Sequence, residues 1–214
     1  MSLGLSWVTA WVADTVKVVS DNRLHLIDLD REIGDGDHGE NLDRGFTAVK
    51  AKFESLPSDS TPGEALKLVA TTLISTVGGA SGPLLGTAYL KGSQAIGDQA
   101  ELDSDAVVAF LTAARDGVVL RGKAEVGDKT MIDAWTPAVD AATAAAADGK
   151  SPSEVLRAAS DAAAAGAVST EPLVARKGRA SYLGERAVGH RDPGAESSSL
   201  IIAAAADAAA SQEG

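Results

Sequence analysis

Residues 61–96 read TPGEALKLVATTLISTVGGASGPLLGTAYLKGSQAI, and this stretch decides the fold class. Thr61-Pro62-Gly63-Glu64 is a capping box: the threonine oxygen accepts from the backbone at the third helical position while the glutamate reaches back to the cap. Pro62 falls in the first turn, where a missing N–H costs nothing. The helix opened there is expected to end near Gly78-Gly79, and a second to run from Pro83 to Ile96. So short a connection favours antiparallel neighbours. Ser151-Pro152-Ser153-Glu154 repeats the same device, so a second capped helix follows it.

Helix signals continue outward in both directions. Trp7, Val8, Trp11, Val12, Val16 and Val19 repeat at helical spacing, and Leu24 and Ile27 begin a helix that Gly34 should stop. Further helices are expected over 41–55, 104–120 and 130–148, the last bent at Pro137. Asp192-Pro193 is an N-cap and N1 pair opening a final helix to Gln212. No run of alternating β-branched residues marks a strand. The expectation is all-α: eight or nine helices in an antiparallel bundle or closed helical barrel. No Pro/Ser/Gly-rich linker divides the chain, so a single domain is expected over 1–214. Composition agrees, with 41 alanines and only 4% aromatic residues, a mixture suited to close-packed helices and poor for a β-sandwich. The Ala-rich stretches at 141–147, 162–165 and 203–210 read as tight packing faces.

Charge removes several function classes. Asp+Glu number 30 against Lys+Arg 19, a formal balance of −11, whereas nucleic acid needs a basic footprint. The absence of cysteine excludes disulfides, thiolate metal sites and cysteine nucleophiles. No stretch approaches 18 uninterrupted apolar residues, so neither nucleic acid nor membrane is an expected partner. The first twenty residues lack the basic start and small-residue cleavage site of a signal peptide and read as an amphipathic helix, giving a cytoplasmic expectation.

The 22 glycines are too many for a plain bundle, and they cluster in connections at 34–39, 78–82, 122–131 and 176–194, beside charged and hydroxyl side chains. Loops of that kind wrap polar ligands. Seven acids lie between Asp28 and Asp43 against one base, Arg31. Asp30 falls on a last helical turn, with Asp35 and Asp37 in the loop after it. Three convergent hard oxygens suit Mg²⁺, which completes its shell with water and phosphate oxygens; a solvated acidic helix end is the plainer reading. Gly34 to Gly39 matches G-x-G-x-x-G, but no strand precedes it and its aspartates would repel a bare pyrophosphate. An EF-hand fails because Glu40 and Phe46 stand where glycine and glutamate are required. Gly117 to Lys123 spells G-x-x-x-x-G-K, yet Ala124 replaces the hydroxyl residue of a P-loop, leaving Lys123 and the Gly122 backbone as candidate ligand contacts.

Free N–H groups where Gly78 to Ser81 enters the next helix can attract phosphate, although an ordinary interhelical turn would look the same. Arg176, Lys177, Arg179, Arg186 and Arg191 lie within 16 residues holding one acid, Glu185. Such a cluster is either an anion site or a compensating salt-bridge layer. His38 and His190 each sit in a glycine-bearing loop, as structural residues or as ligand contacts.

Four motifs in order, 29–41 (LDREIGDGDHGEN), 77–87 (VGGASGPLLGT), 121–131 (RGKAEVGDKTM) and 175–186 (ARKGRASYLGER) followed by 189–195 (GHRDPGA), resemble the nucleotide-binding L subunits of bacterial dihydroxyacetone kinases. The resemblance implies an eight-helix antiparallel barrel with a Mg–nucleotide in the loops at one end. It implies that Asp30, Asp35 and Asp37 bind two Mg²⁺ ions, and that ADP or ATP is lined by His38, Gly39, Asn41, Gly79, Ala80, Ser81, Gly122, Thr130, Met131, Arg179, Asp192, Pro193 and Gly194. Arg179 would be the catalytic residue, neutralising phosphoryl charge.

The same resemblance implies a divided enzyme. ADP would act as a coenzyme, rephosphorylated by a phosphohistidine on an M subunit supplied from phosphoenolpyruvate, and would pass its phosphoryl group to dihydroxyacetone held on a K subunit. Catalysis on this chain would then be positioning and electrostatics. A transcription regulator and a second copy of the chain, as a homodimer, complete the implied partners. The alternatives are a subunit of an ATP-dependent two-component kinase for dihydroxyacetone or another ketose or sugar, a nucleotide-dependent non-catalytic regulator, and a structural or lipid-carrying helical barrel.

Overall fold

The computed structural model describes residues 2–212; Met1 and residues 213 and 214, part of the single domain expected over 1–214, lie outside the described residues. The elements are α1 (Leu5–Asp21), α2 (Arg23–Ile33), α3 (His38–Phe53), α4 (Pro62–Thr76), α5 (Ser81–Ile96), α6 (Ser104–Gly122), α7 (Ile132–Ala147), α8 (Pro152–Ser169) and α9 (Pro193–Ala210), with a 3₁₀ segment over Arg179–Ala187. Both capping boxes form: Thr61 Oγ1 accepts from the Glu64 N–H and Ser151 Oγ from the Glu154 N–H, with each glutamate returning to its cap. Among the described residues the one β-type pairing is an isolated bridge between Leu3 and Leu102, and no helix is long and apolar enough to cross a membrane.

Eight of the helices form a ring. α1 packs on α3, α3 on α4, and so on in chain order to α9, which closes back onto α1; the shorter α2 lies beside α3, α9 and the 3₁₀ segment. Two indoles fix the closing seam. Trp7 Nε1 donates to the Ala205 carbonyl at 3.0 Å and Trp11 Nε1 to that of Ile201 at 2.9 Å. A step of four forward on α1 is thus a step of four back on α9, so the pair is antiparallel. The two indoles stack with centroids 5.2 Å apart, and Trp11 also meets the edge of Phe110 on α6 and the tilted ring of Tyr89 on α5. Four of the eight aromatic residues thus meet around Trp11, where each contributes large area and ring–ring attraction.

Alanine does the rest. Ala138 and Ala142 on α7 and Ala159, Ala163 and Ala167 on α8 are buried, letting the backbones approach closely. At Gly166 a Cβ would lie 2.1 Å from the Asp133 carbonyl oxygen, so any side chain there would push α7 and α8 apart. The late position of Gly166 on α8 against the start of α7 makes that pair antiparallel too.

Two boundaries depart from expectation for physical reasons. α3 begins at His38, before the expected Asn41, because Asp30 Oδ2 accepts from the Asp37 and His38 N–H groups at 2.9 and 3.2 Å. A carboxylate from the preceding helix thereby satisfies donors that a local cap would otherwise serve. The 3₁₀ segment was not expected as helix, since its nine residues bend at Gly184, whose φ is 59°. In an up-and-down ring alternate connections emerge together. The α2–α3, α4–α5, α6–α7 and α8–α9 connections accordingly meet at one end.

Candidate functional site

Those four connections enclose a cavity of about 570 Å³. Asp30, Asp35 and Asp37 stand on one side of it, each offering a carboxylate oxygen within 4.8 Å of the others. Asp30 is buried on the last turn of α2, while Asp35 and Asp37 are exposed in the loop. A Cβ at Gly34 would fall 2.0 Å from Asp30 Oδ1, so glycine is required for the carboxylate to turn in. Burial pushes the Asp30 carboxyl above its ordinary value, opposed by the His38 and Asp37 N–H groups and reinforced by the charges of Asp35 and Asp37. A divalent cation would relieve that repulsion, and three hard oxygens at this spacing fit Mg²⁺. Arg179 Nη2 also lies 2.9 Å from Asp35 Oδ2.

Beside the carboxylates, His38 is buried and pinned at both ring nitrogens. Nδ1 meets Ser81 Oγ at 3.0 Å and Nε2 meets Ser197 Oγ at 2.9 Å. Burial pushes the imidazole down to about 4, so it is neutral at physiological pH and ties the starts of α3 and α5 to α9. Ser81 opens α5, whose first N–H groups and dipole face the cavity.

The opposite wall comes from the α6–α7 loop and the start of α9. Asp133 Oδ1 and Oδ2 accept from the Gly127 and Thr130 N–H groups at 2.5 and 2.7 Å, which holds Thr130 and the buried thioether of Met131 in place. Asp192 caps α9 by accepting from the Ala195 N–H at 2.7 Å. Burial pushes its carboxyl up to about 7, with the Ala195 N–H opposing, Asp133 adding, Lys129 opposing and Asp30 adding.

Of the residues named from sequence, Asp30, Asp35, Asp37, His38, Gly79, Ala80, Ser81, Gly122, Thr130, Met131, Arg179, Asp192, Pro193 and Gly194 all line this one cavity. Gly39 and Asn41 stand behind the lining. Gly39 packs on the α2 backbone at Arg23, and Asn41 lies under the Gly78-Gly79 turn, its Oδ1 accepting from Arg44 Nη2 at 2.6 Å. Lys123 is the left-handed C-cap of α6 and does not reach the cavity.

The basic cluster divides. Lys177 and Arg179 line the cavity, whereas Arg191 is bound by Glu171 and Glu196 at 2.7 and 2.9 Å, so the anion-site and salt-bridge readings each describe part of it. The His190 ring faces Glu32 at 3.7 Å. Sequence reasoning passed over Lys129, Asp133, Thr170 and Ser197. For Asp133 a signal existed, since Thr130-x-x-Asp133 has the spacing of a helix-start motif; for the others burial was the decisive property and no local pattern marks it.

Comparison with known proteins adds to this geometry. The family model described as the DAK2 domain matches residues 32–207. The chain is 44% identical over 197 residues to the ADP-binding subunit DhaL of the PEP-dependent dihydroxyacetone kinase of Escherichia coli (strain K12), covering 92% of this chain and 93% of that protein. It is 42% identical to the ADP-binding subunit DhaL of PEP-dependent dihydroxyacetone kinase 1 of Listeria innocua, over 94% of this chain and 96% of the relative. The crystal structure of the C. freundii dihydroxyacetone kinase in complex with AMP-PNP and Mg²⁺ superposes with a TM-score of 0.73 at 27% identity, covering 97% of this chain; the chain spans 34% of that longer one.

Proposed function

The chain belongs to the DAK2 domain family, and from that premise we propose that it is the ADP-binding subunit of a PEP-dependent dihydroxyacetone kinase. The observation that carries the reading is the convergence of three carboxylates within 4.8 Å, on the wall of a cavity that a basic loop also lines. Mg²⁺, as two ions, would be held by Asp30, Asp35 and Asp37, and ADP would fill the cavity. The metal would supply charge neutralisation for the phosphates. The C. freundii dihydroxyacetone kinase that shares this fold forms a complex with AMP-PNP and Mg²⁺, which supports the assignment.

The chain's own residues do the positioning. Ser81 and the first N–H groups of α5 would receive phosphate oxygens, and Met131 would lie against the base. Arg179, beside Asp35, would balance charge on a transferring phosphoryl group. Asp192 to Gly194 shape the wall opposite. The chain has no cysteine, and both nitrogens of His38 are engaged by serine hydroxyls, so neither a thiol nor the His38 ring offers a free covalent carrier. On this reading a bound nucleotide would carry the phosphoryl group. Its phosphoryl donor would be a phosphohistidine M subunit and its acceptor dihydroxyacetone on a K subunit, in the cytoplasm, with the single domain of this chain contributing the nucleotide.

Reconstitution tests the proposal. With K and M partners, phosphoenolpyruvate should drive phosphorylation of dihydroxyacetone, and ADP should survive extensive dialysis on the purified chain. Turnover on ATP alone, with nucleotide exchanging freely, would overturn the relay.

A further inference from the structure

We infer that Lys129 is a positioning residue whose ammonium clamps the neck of the 171–190 loop over the cavity, and so sets how long a bound nucleoside diphosphate is retained; this rests on the nucleotide reading above. Among the described residues Lys129 is the one lysine or arginine that is buried, at 1% exposure. Its Nζ donates to the carbonyls of Thr170 at 2.8 Å, Glu171 at 3.3 Å and His190. Three ammonium protons thus meet three backbone oxygens, two from the start of the loop and one from its end. Burying an ammonium is costly unless its donors are satisfied. The cost is offset only while those carbonyls stay together.

The backbone is arranged around this contact. Lys129 adopts φ 63°, a left-handed conformation uncommon for a residue with a side chain. The same neck is closed by the Gly189 N–H on the Glu171 carbonyl at 2.8 Å, the Asp192 N–H on Thr170 Oγ1 at 2.9 Å, and Arg191 on Glu171. Beyond the neck Ala175, Ala180, Ala187 and Leu183 pack with Ile33 of α2 in a small apolar cluster separate from the main core. The loop is held beyond its neck by Ile33, by the Arg176 N–H on the Asp128 carbonyl at 3.0 Å and by Arg179 on Asp35, so the neck is the contact that joins its two ends. The loop carries Lys177, Gly178 and Arg179 on the cavity wall.

A clamp of this kind should act on release more than on entry. The chain has no cysteine, so Lys129→Cys introduces a sole thiol, which aminoethylation under denaturing conditions followed by refolding converts to a lysine isostere. With Mg²⁺ and fluorescent ADP, the thiol form should release nucleotide at least about tenfold faster while association changes less than about twofold, and trypsin should cut between 176 and 186 sooner. Aminoethylation should reverse all of these. Unchanged release and unchanged proteolysis in a folded thiol form, or changes that aminoethylation leaves in place, would overturn the clamp. If unmodified protein fails to bind Mg–ADP, the nucleotide reading fails, while the proteolysis arm still reports on the neck. Should the thiol form not fold, the Nζ resonance of unmodified protein decides: a slowly exchanging ammonium supports the clamp, and a rapidly exchanging one refutes it.

Discussion

Arg179 reaches from the basic loop to Asp35, with Nη2 and Oδ2 2.9 Å apart, so a guanidinium already sits at the carboxylates grouped for a cation. The pair is largely exposed, and such pairs contribute little to stability. Arg179→Ala should therefore leave the urea midpoint essentially unchanged. Phosphoryl transfer in the reconstituted system should fall by about 1,000-fold or more, since arginines facing a transferring phosphoryl group have effects of that order. A variant with wild-type turnover would remove Arg179 from the chemistry.

Asp30 and Asp37 should separate metal binding from folding. Asp37 is exposed, and Asp37→Ala should abolish Mg²⁺-dependent ADP binding in calorimetry without altering the melting temperature. Asp30 is buried and accepts from two N–H groups at the start of α3. Asp30→Ala should lose binding and also about 1–3 kcal/mol of stability, the range for stranded buried donors. Removing Mg²⁺ with EDTA should match the binding defect of Asp37→Ala in wild-type protein. Equal destabilisation by the two substitutions would contradict the capping role of Asp30.

Much of this was legible in sequence because the decisive signals are local. The capping boxes at Thr61 and Ser151, the Asp192-Pro193 helix start and the spacing of Trp7 and Trp11 are each set within a few residues, and each forms as read. The carboxylates of Asp30, Asp35 and Asp37 were readable for the same reason, because they bracket one turn. A closed helical barrel was among the readings, but the contacts that seal α9 on α1 were not legible, since they are indole bonds between residues 198 and 190 positions apart. Lys129 and Ser197 escaped for the same cause: their partners come from other elements, and only the assembled ring buries them.

Asp192 gives stability a pH dependence with a definite sign. Its carboxyl is pushed from 3.8 up to about 7 in the folded chain, facing Lys129 and Asp133 from the α6–α7 wall and Asp30 from α2. The folded state then holds this proton where the unfolded state has released it. Its contribution is fully present below the unfolded value and is lost as pH rises through about 7. His38, pushed from 6.5 down to about 4, acts in the opposite direction, so the wild-type profile mixes the two. Asp192→Asn keeps a capping oxygen and removes the titration. Relative to wild type, this variant should gain stability between pH 4.5 and 7.5, on the order of 1 kcal/mol per pH unit where the group titrates. Urea unfolding at both pH values measures it, and a difference independent of pH would refute the assignment.

Trp11 closes the ring, and its loss should be felt globally. The indole is buried, stacks on Trp7, touches Tyr89 and Phe110, and donates to the Ile201 carbonyl. Trp11→Ala removes all of this and should cost about 3–5 kcal/mol, the usual range for deleting a large buried aromatic. Trp11→Phe keeps most of the packing and loses the hydrogen bond, which is worth about 1 kcal/mol, plus a smaller packing loss. Because α1 sits between α9 and α3 in a closed ring, its weakening should not unravel one helix alone. Far-UV circular dichroism and the fluorescence of Trp7 and Trp135 should shift to lower urea together. Early loss of part of the helical signal, with the fluorescence transition unmoved, would mean that α1 frays independently and that the ring stands without it.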